Sequence, residues 1–302
     1  MNTKALSFAL FTVIIWGSTF AAIRAGLHGG YSPGHLVLIR YLIASGLFLL
    51  YAIWPRSNFR LPKKEDILKL LLLGFIGISV YHIGVTFGEQ TVSAGTTGML
   101  IGSGPVFTSI FAVLILKERL GLFGWIGLGI GFMGILIITF GTGGSSFSLS
   151  HGALLILMSA VATSIFFVYQ KPFLERYSAI EITAYVTWAG TLPFFIFAPG
   201  LFDTIQNATM EANLSAIYVG IFPAGIAYVT WAIALSLGKA STISSILYLE
   251  PVIAIIVAWV WLRELPSPLS IIGGIIALSG IIIVNLIGKG KLEKPQEKAA
   301  NL

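Results

Sequence analysis

Long apolar runs, separated by short polar segments, recur along the whole chain. Each run is about 20 residues long, the length that an α-helix needs to cross the ~30 Å hydrocarbon core of a bilayer. The pattern predicts ten transmembrane helices, at 5–25, 34–54, 67–87, 94–116, 122–141, 150–171, 179–199, 213–235, 241–262 and 268–287. A barrel strand would instead be about ten residues long, with alternating polarity. We therefore expect an all-α integral membrane protein.

The basic residues predict how these helices are oriented. If the N-terminus lies in the cytoplasm, the cytoplasmic segments contain fifteen of the eighteen Lys and Arg residues. The outer connections then contain only Arg263. Because cytoplasmic loops are enriched in Lys and Arg, this distribution predicts that both termini are cytoplasmic.

The two halves of the chain repeat each other at an offset of 146 residues. Pro105 and Glu118 align with Pro251 and Glu264 at this offset. The repeats are expected at 1–141 and 150–287, joined by the Gly/Ser-rich linker 142–149 and followed by the basic cytoplasmic tail 288–302. Five helices per half is an odd number, so the second half must enter the membrane inverted. Inverted repeats are typical of secondary transporters, which bind substrate near the midplane between the repeats.

Several segments resemble a known family. The segment 16–24, with Pro33 and Arg40 after it, resembles the opening of the EamA-type members of the drug/metabolite transporter superfamily. The segments 94–120 and 240–265 resemble the paired signature of that family. The resemblance covers nearly the whole chain. It implies ten helices in a 5+5 inverted repeat, and export or exchange of small metabolites such as amino acids.

Three ionisable residues stand out inside the predicted helices, where a charge is costly and usually functional. Glu250 could bind a substrate ammonium or a coupling proton, or it could be structural, either paired with Arg40 or capped at the proline break. The guanidinium of Arg40 could bind a substrate carboxylate, or it could extend to the membrane surface or pair with a helix end. His82 could bond to substrate or relay a proton, or it could be a satisfied buried histidine. The first-half counterpart of Glu250 is Gly104, so this charge breaks the repeat.

Prolines, aromatic residues and one amide complete the set of candidates. Three prolines lie in mid-span, where each could break a helix at a binding site or only kink it for packing: Pro105, Pro223 and Pro251. Seven aromatic residues could line a substrate cavity or simply fill cores and interfacial belts: Trp16, Tyr81, Phe87, Tyr169, Tyr228, Trp231 and Tyr248. Gln170 aligns with Arg24 and could be a gate residue or an interfacial one.

Composition excludes several classes of protein. Only 10% of the residues are charged, against about 25% in soluble domains. The net charge of +6 lies in loops, so it does not indicate nucleic-acid binding. The chain has no cysteine, no phosphate-binding loop and no zinc-protease motif, and its four histidines are scattered. We expect no catalytic residues, no metal site and no cofactor.

The sequence therefore favours a secondary transporter over other functions. We expect export of small metabolites, with amino acids the leading class, by alternating access across the cell (inner) membrane. A multidrug exporter of lipophilic cations is the alternative, and an intramembrane enzyme is a distant third. The protein is expected to act as a monomer or a homodimer.

Overall fold

The computed structural model describes residues 3–115, 121–141, 150–237, 243 and 245–286. Within these ranges the chain consists of helices and the turns between them, without strands. The first half contains the helices α1 (Thr3–His28), α2 (Pro33–Ile53), α3 (Lys64–Gly74), α4 (Tyr81–Gly88), α5 (Ala94–Gly102), α6 (Gly104–Ile115) and α7 (Leu122–Gly141). A π-helical segment, Phe75–Val80, joins α3 to α4.

The second half contains the same kinds of element. Its helices are α8 (His151–Gln170), α9 (Ala179–Thr191), α10 (Leu201–Asn207), α11 (Met210–Ile221), α12 (Tyr228–Leu237), α13 (Glu250–Leu262) and α14 (Pro268–Leu286). Short 3-10 segments lie at Lys171–Glu175, Leu192–Phe197 and Ser245–Leu249, and a second π-helical segment, Phe222–Ala227, joins α11 to α12.

In the described part of the chain, seven helical stretches are long and apolar enough to cross a membrane. The differences from the ten predicted spans lie mainly in broken helices. The predicted span 94–116 is divided at Ser103 into α5 and α6, and part of the predicted span 241–262 lies outside the described residues. The predicted connection 200–212 contains the short helix α10, which hydropathy does not reveal because Asp203 and Gln206 interrupt the apolar run.

Serine side chains determine where several helices begin. Ser32 and Ser93 accept hydrogen bonds from backbone N–H groups in the first turns of α2 and α5. At α9, Ser178 and Glu181 form a reciprocal capping box. Because the first N–H groups of a helix lack intrahelical partners, such caps stabilise the helix start by roughly 0.5–2 kcal/mol each.

The helix boundaries repeat at the same offset as the sequence. Helices α2 and α9 begin at Pro33 and Ala179, and helices α6 and α13 begin at Gly104 and Glu250, each pair 146 residues apart. The two π-helical segments also begin at nearly equivalent positions of the two halves, within one residue of the 146-residue offset. The backbone irregularities therefore belong to the repeated unit.

Helices α7 and α14 pack against each other through repeat-related glycines. A Cβ atom placed on Gly134 would lie 2.6 Å from the carbonyl oxygen of Gly273, and one on Gly280 would lie 2.6 Å from that of Gly127. Gly127 and Gly134 are the first-half counterparts of Gly273 and Gly280. The two contacts are therefore reciprocal, and at each of them the backbones are too close for a side chain.

This close approach gives a prediction for Gly134→Ala. The added methyl group meets backbone atoms rather than a flexible side chain. We therefore expect the free energy of unfolding to fall by roughly 1–3 kcal/mol, as it does in overpacked cores. The unfolding temperature in detergent measures this loss of stability, with size-exclusion chromatography used to monitor the folded fraction after heating. Gly129→Ala, on the same helix, has no atom within 4 Å of the new methyl group and is the matched control. Equal unfolding temperatures for both variants would contradict the packing.

Candidate functional site

The two halves meet at pairs of equivalent residues in the middle of the bundle. Nε2 of His82 lies 3.2 Å from the hydroxyl of Tyr228, and Oγ of Ser45 lies 2.9 Å from Oγ1 of Thr191. The members of each pair are 146 residues apart. His82 is buried and Nδ1, its other ring nitrogen, has no hydrogen-bond partner.

Aromatic rings surround the His82–Tyr228 pair. The rings of Tyr81 and Tyr41 lie 4.5 and 4.8 Å from the imidazole of His82. The ring of Trp16 lies 5.3 Å from that of Tyr228 and 5.4 Å from that of Trp231. This part of the bundle can therefore enclose an apolar group between rings.

Pro223 and Trp16 meet at the edge of this ring cluster. Pro223 lies in the second π-helical segment, which departs from regular α-helix. Its carbonyl oxygen accepts a hydrogen bond of 3.3 Å from Nε1 of Trp16. The irregular backbone thus orients one ring of the cluster.

Arg40 is a buried cation without an acidic partner. Its side chain extends from α2 over the ring of Tyr41, with 5.6 Å between the guanidinium carbon and the ring centroid. The residue is 2% exposed, and its Nε and Nη1 atoms make no hydrogen bond to any residue that the structure describes. A buried charge without a partner is costly, and an anion at these donors would lower that cost.

Glu250 is a buried carboxylate in the same part of the bundle. It opens α13, and Pro251 directly follows it where the 3-10 segment gives way to α-helix. The residue is 5% exposed and takes part in none of the ion pairs between described residues. The structural Arg40–Glu250 pair that the sequence left open is therefore not formed.

The same two tyrosines connect the two charges. The Glu250 carboxylate is close enough to the hydroxyls of Tyr81 and Tyr228 to interact electrostatically with both, and so is the Arg40 guanidinium. A buried cation and a buried anion that do not pair with each other therefore lie within electrostatic range of the same two tyrosines. Such an arrangement can hold a ligand that carries both charges.

Three other candidates lie outside this cluster or cannot be fully described. Gln170 is the last residue of α8, at the end of the bundle where α1 begins (the near end); it is buried and its Oε1 has no partner. Tyr248 packs beside a small apolar cluster that includes Val106. Pro105 is the second residue of α6, just after the helix break, and its side chain lies outside the described ones.

The sequence analysis missed a group of charges at the opposite end of the bundle, where α1 finishes (the far end). Nε of Arg24 lies 3.2 Å from Oε1 of Glu264, and Nη1 of Arg24 donates to the backbone carbonyl of Glu89. Glu89 is completely buried, and neither of its carboxylate oxygens has a hydrogen-bond partner among the described residues. The available signal was a single acidic residue directly after the third apolar run.

No metal site emerges from the part of the chain that the structure describes. There, no three His, Asp or Glu side chains converge as metal ligands would.

Comparison with known proteins identifies the family. The model of the EamA-like transporter family matches residues 3–140 and again 150–286. The uncharacterized transporter YdfC of Bacillus subtilis is 40% identical over 90% of this chain and 88% of its own length. A probable terminal-alkyne amino-acid exporter of Streptantibioticus cattleyicolor is 33% identical over 94% of both chains. A solved crystal structure with 20% identity has the same fold, with a TM-score of 0.68 over 95% of this chain and 99% of that one. The chain therefore belongs to the EamA-like transporter family, and is a transporter that crosses the inner (cell) membrane several times.

Proposed function

We propose that this protein exports small zwitterionic metabolites, amino acids above all, by alternating access. One observation carries the proposal: Arg40 and Glu250 are both buried, do not pair with each other, and both interact with Tyr81 and Tyr228. Arg40 binds the substrate carboxylate, for which a planar guanidinium is well suited. Glu250 binds the substrate ammonium. The rings of Trp16 and Trp231 contact the substrate side chain.

We further propose ten spanning helices in two repeats of opposite orientation, at 1–141 and 150–287. The fourth span then consists of α5 and α6, and the ninth covers 241–262. Reciprocal contacts of the kind seen between α7 and α14 support a two-fold relation between the repeats. Five spans per repeat require the two-fold axis to lie in the membrane plane. The excess of basic residues supports cytoplasmic termini, so that the far end faces outward.

Two further observations bear on the class of substrate. The Streptantibioticus cattleyicolor relative is named as an amino-acid exporter, which agrees with a site for both charges of an amino acid. Export of lipophilic cations is the second candidate, because Glu250 and the nearby rings suffice to bind a cation. The two candidates differ in whether Arg40 is needed.

Resistance of bacterial cells tests the proposed function. Cells that produce the protein are grown with toxic levels of single amino acids or with lipophilic cations. We expect protection against some amino acids. Protection against lipophilic cations alone would instead favour the second candidate, and would refute the zwitterion site.

Replacing the buried carboxylate gives a second prediction. Glu250→Gln keeps the shape of the side chain but loses the charge, and a hydrogen bond to a charged group contributes about 1.5–3 kcal/mol. We therefore expect the apparent affinity for amino acids to fall about tenfold or more, measured as exchange across proteoliposomes. Glu175→Gln, an exposed residue at the near end, is the control. Equal affinities in both variants would remove Glu250 from the site.

A further inference from the structure

Three carboxylate oxygens without donors lie together at the far end. They are both oxygens of Glu89 and Oε2 of Glu264, all of them buried. The guanidinium of Arg24 is bonded to the other oxygen of Glu264 and to the backbone of Glu89 rather than to its carboxylate. Two acids thus share one base, and the Glu89 carboxylate has no donor among the described residues.

Within the described part of the chain, the other ionisable groups near Glu89 do not donate a hydrogen bond to its carboxylate. The groups that interact with Glu89 from the elements around it are Arg24 on α1, Arg40 on α2, Glu264 after α13 and Tyr81 on α4. Helix α8 packs against Gly88 through Gly152 and Ile156. Its titratable residue at this level is His151, whose side chain is exposed.

Burial favours the neutral form of this acid. Glu89 lies one residue beyond the spanning stretch Lys64–Gly88. Burial raises the pKa of its carboxyl well above the usual range, although Arg24 and Arg40 oppose the shift. A raised pKa means that the proton stays bound to a higher pH, so burial at the closed far end favours the protonated form of this acid.

The arrangement is present at only one end of the repeat. At the offset of 146 residues, Glu89 corresponds to Leu235 and Arg24 to Gln170. The near end therefore has Leu235 and Gln170 where the far end has Glu89 and Arg24, while Glu118, the counterpart of Glu264, lies outside the described residues. The carboxylate of Glu89 thus lies at the far end only, and an apolar side chain occupies the equivalent position of the second repeat.

We propose that Glu89 binds the coupling proton, which the transporter takes up from outside when its far end closes after substrate release. The inference rests on the proposed transport function. In the outward-open form Glu89 is a hydrated anion, and an external proton forms an O–H bond with one carboxylate oxygen before closure buries it. In the inward-open form the O–H bond breaks, the proton passes to water that reaches Glu89 from the cytoplasmic side, and the carboxylate becomes an anion again. One proton moves inward for each zwitterion exported.

The charges around Glu89 favour a proton over a metal cation. The guanidinium of Arg24 lies beside the carboxylates and opposes any second cation, but a proton needs only one oxygen, with which it forms a covalent O–H bond. A sodium ion would need several additional oxygen ligands. Sodium coupling is therefore an outcome that would contradict the proposal.

Purified protein in proteoliposomes tests the coupling, with a radiolabelled mixture of the protein amino acids as the probe. Two reactions are compared: exchange without a pH gradient, and accumulation driven by an imposed gradient. We expect Glu89→Gln to keep the exchange at the wild-type rate and to lose the gradient-driven accumulation. The control is Glu211→Gln, which should keep both reactions. Glu211 is an exposed acid on the same side of the membrane as Glu89 in the proposed topology.

The possible outcomes distinguish failure of proton coupling at Glu89 from failure of the proposed amino-acid transport. Accumulation by Glu89→Gln as in the wild type, or wild-type accumulation driven by sodium and not by protons, overturns the inference alone. Absence of exchange in the wild type overturns the proposed function as well. If Glu89→Gln does not fold, wild-type protein is treated with a carbodiimide, which reacts with protonated carboxyls in apolar surroundings. Mass spectrometry should find Glu89 labelled at neutral pH, and an unlabelled Glu89 overturns the inference.

Discussion

Replacing Arg40 with methionine should lower the apparent affinity for amino acids by about 30-fold or more, because loss of one partner of a buried charge pair costs about 2–5 kcal/mol. The folded protein should be as stable as the wild type or more so. The guanidinium is buried and its Nε and Nη1 have no partner, so methionine of similar length relieves an unpaired charge. Amino-acid exchange across proteoliposomes and thermal unfolding in detergent measure the two effects.

The combination of a large functional loss with unchanged stability distinguishes a binding role from a structural one. Arg40→Lys is the matched control, because it keeps the charge and loses the planar fork. We expect it to retain an affinity between those of the wild type and the methionine variant. If Arg40→Met unfolds at a lower temperature and its residual folded fraction transports normally, Arg40 is a structural residue.

Cross-linking the far end should abolish transport completely. The chain contains no cysteine, so Arg24→Cys and Glu264→Cys introduce the sole reactive thiols. Their side chains belong to different repeats and are in contact, and alternating access requires the repeats to separate at this end. A short bifunctional thiosulfonate reagent should therefore stop amino-acid exchange, and a reducing agent should restore it.

A second cysteine pair is the control for this experiment. The hydroxyls of Ser45 and Thr191 lie 2.9 Å apart at equivalent positions of the two repeats. In the proposed two-fold arrangement such a pair lies on the axis and stays in contact in both end states. We expect a disulfide between Ser45→Cys and Thr191→Cys to form and to leave exchange active. Inhibition by both cross-links alike would contradict rocking about this axis.

Much of the architecture is predictable from local patterns. Hydropathy identifies most helices, because a spanning helix must be apolar along its length. The fixed offset predicts that irregularities recur, and the paired helix starts at Gly104 and Glu250 agree with it. The short helix α10 was not predicted, because it is too polar to register as an apolar run.

The partners of the charged residues could not be predicted from the sequence. Arg24 contacts Glu89 and Glu264, which lie 65 and 240 residues away along the chain. Glu89 was missed because it lies just outside an apolar run, where an acid is ordinary. The sequence likewise left open whether Arg40 and Glu250 form an ion pair, because their positions in the predicted helices do not determine the distance between the two side chains.

The zwitterion site is tested most directly by three competitors that share one apolar side chain. They are an amino acid that the wild type exchanges, the corresponding amine without the carboxylate, and the corresponding acid without the amino group. In proteoliposomes, we predict that the amino acid competes strongly for exchange and that each single-charge analogue competes weakly, since each leaves Arg40 or Glu250 buried without a partner. Equal competition by the amine and the amino acid would contradict the account, because the carboxylate would then have no binding partner in the site.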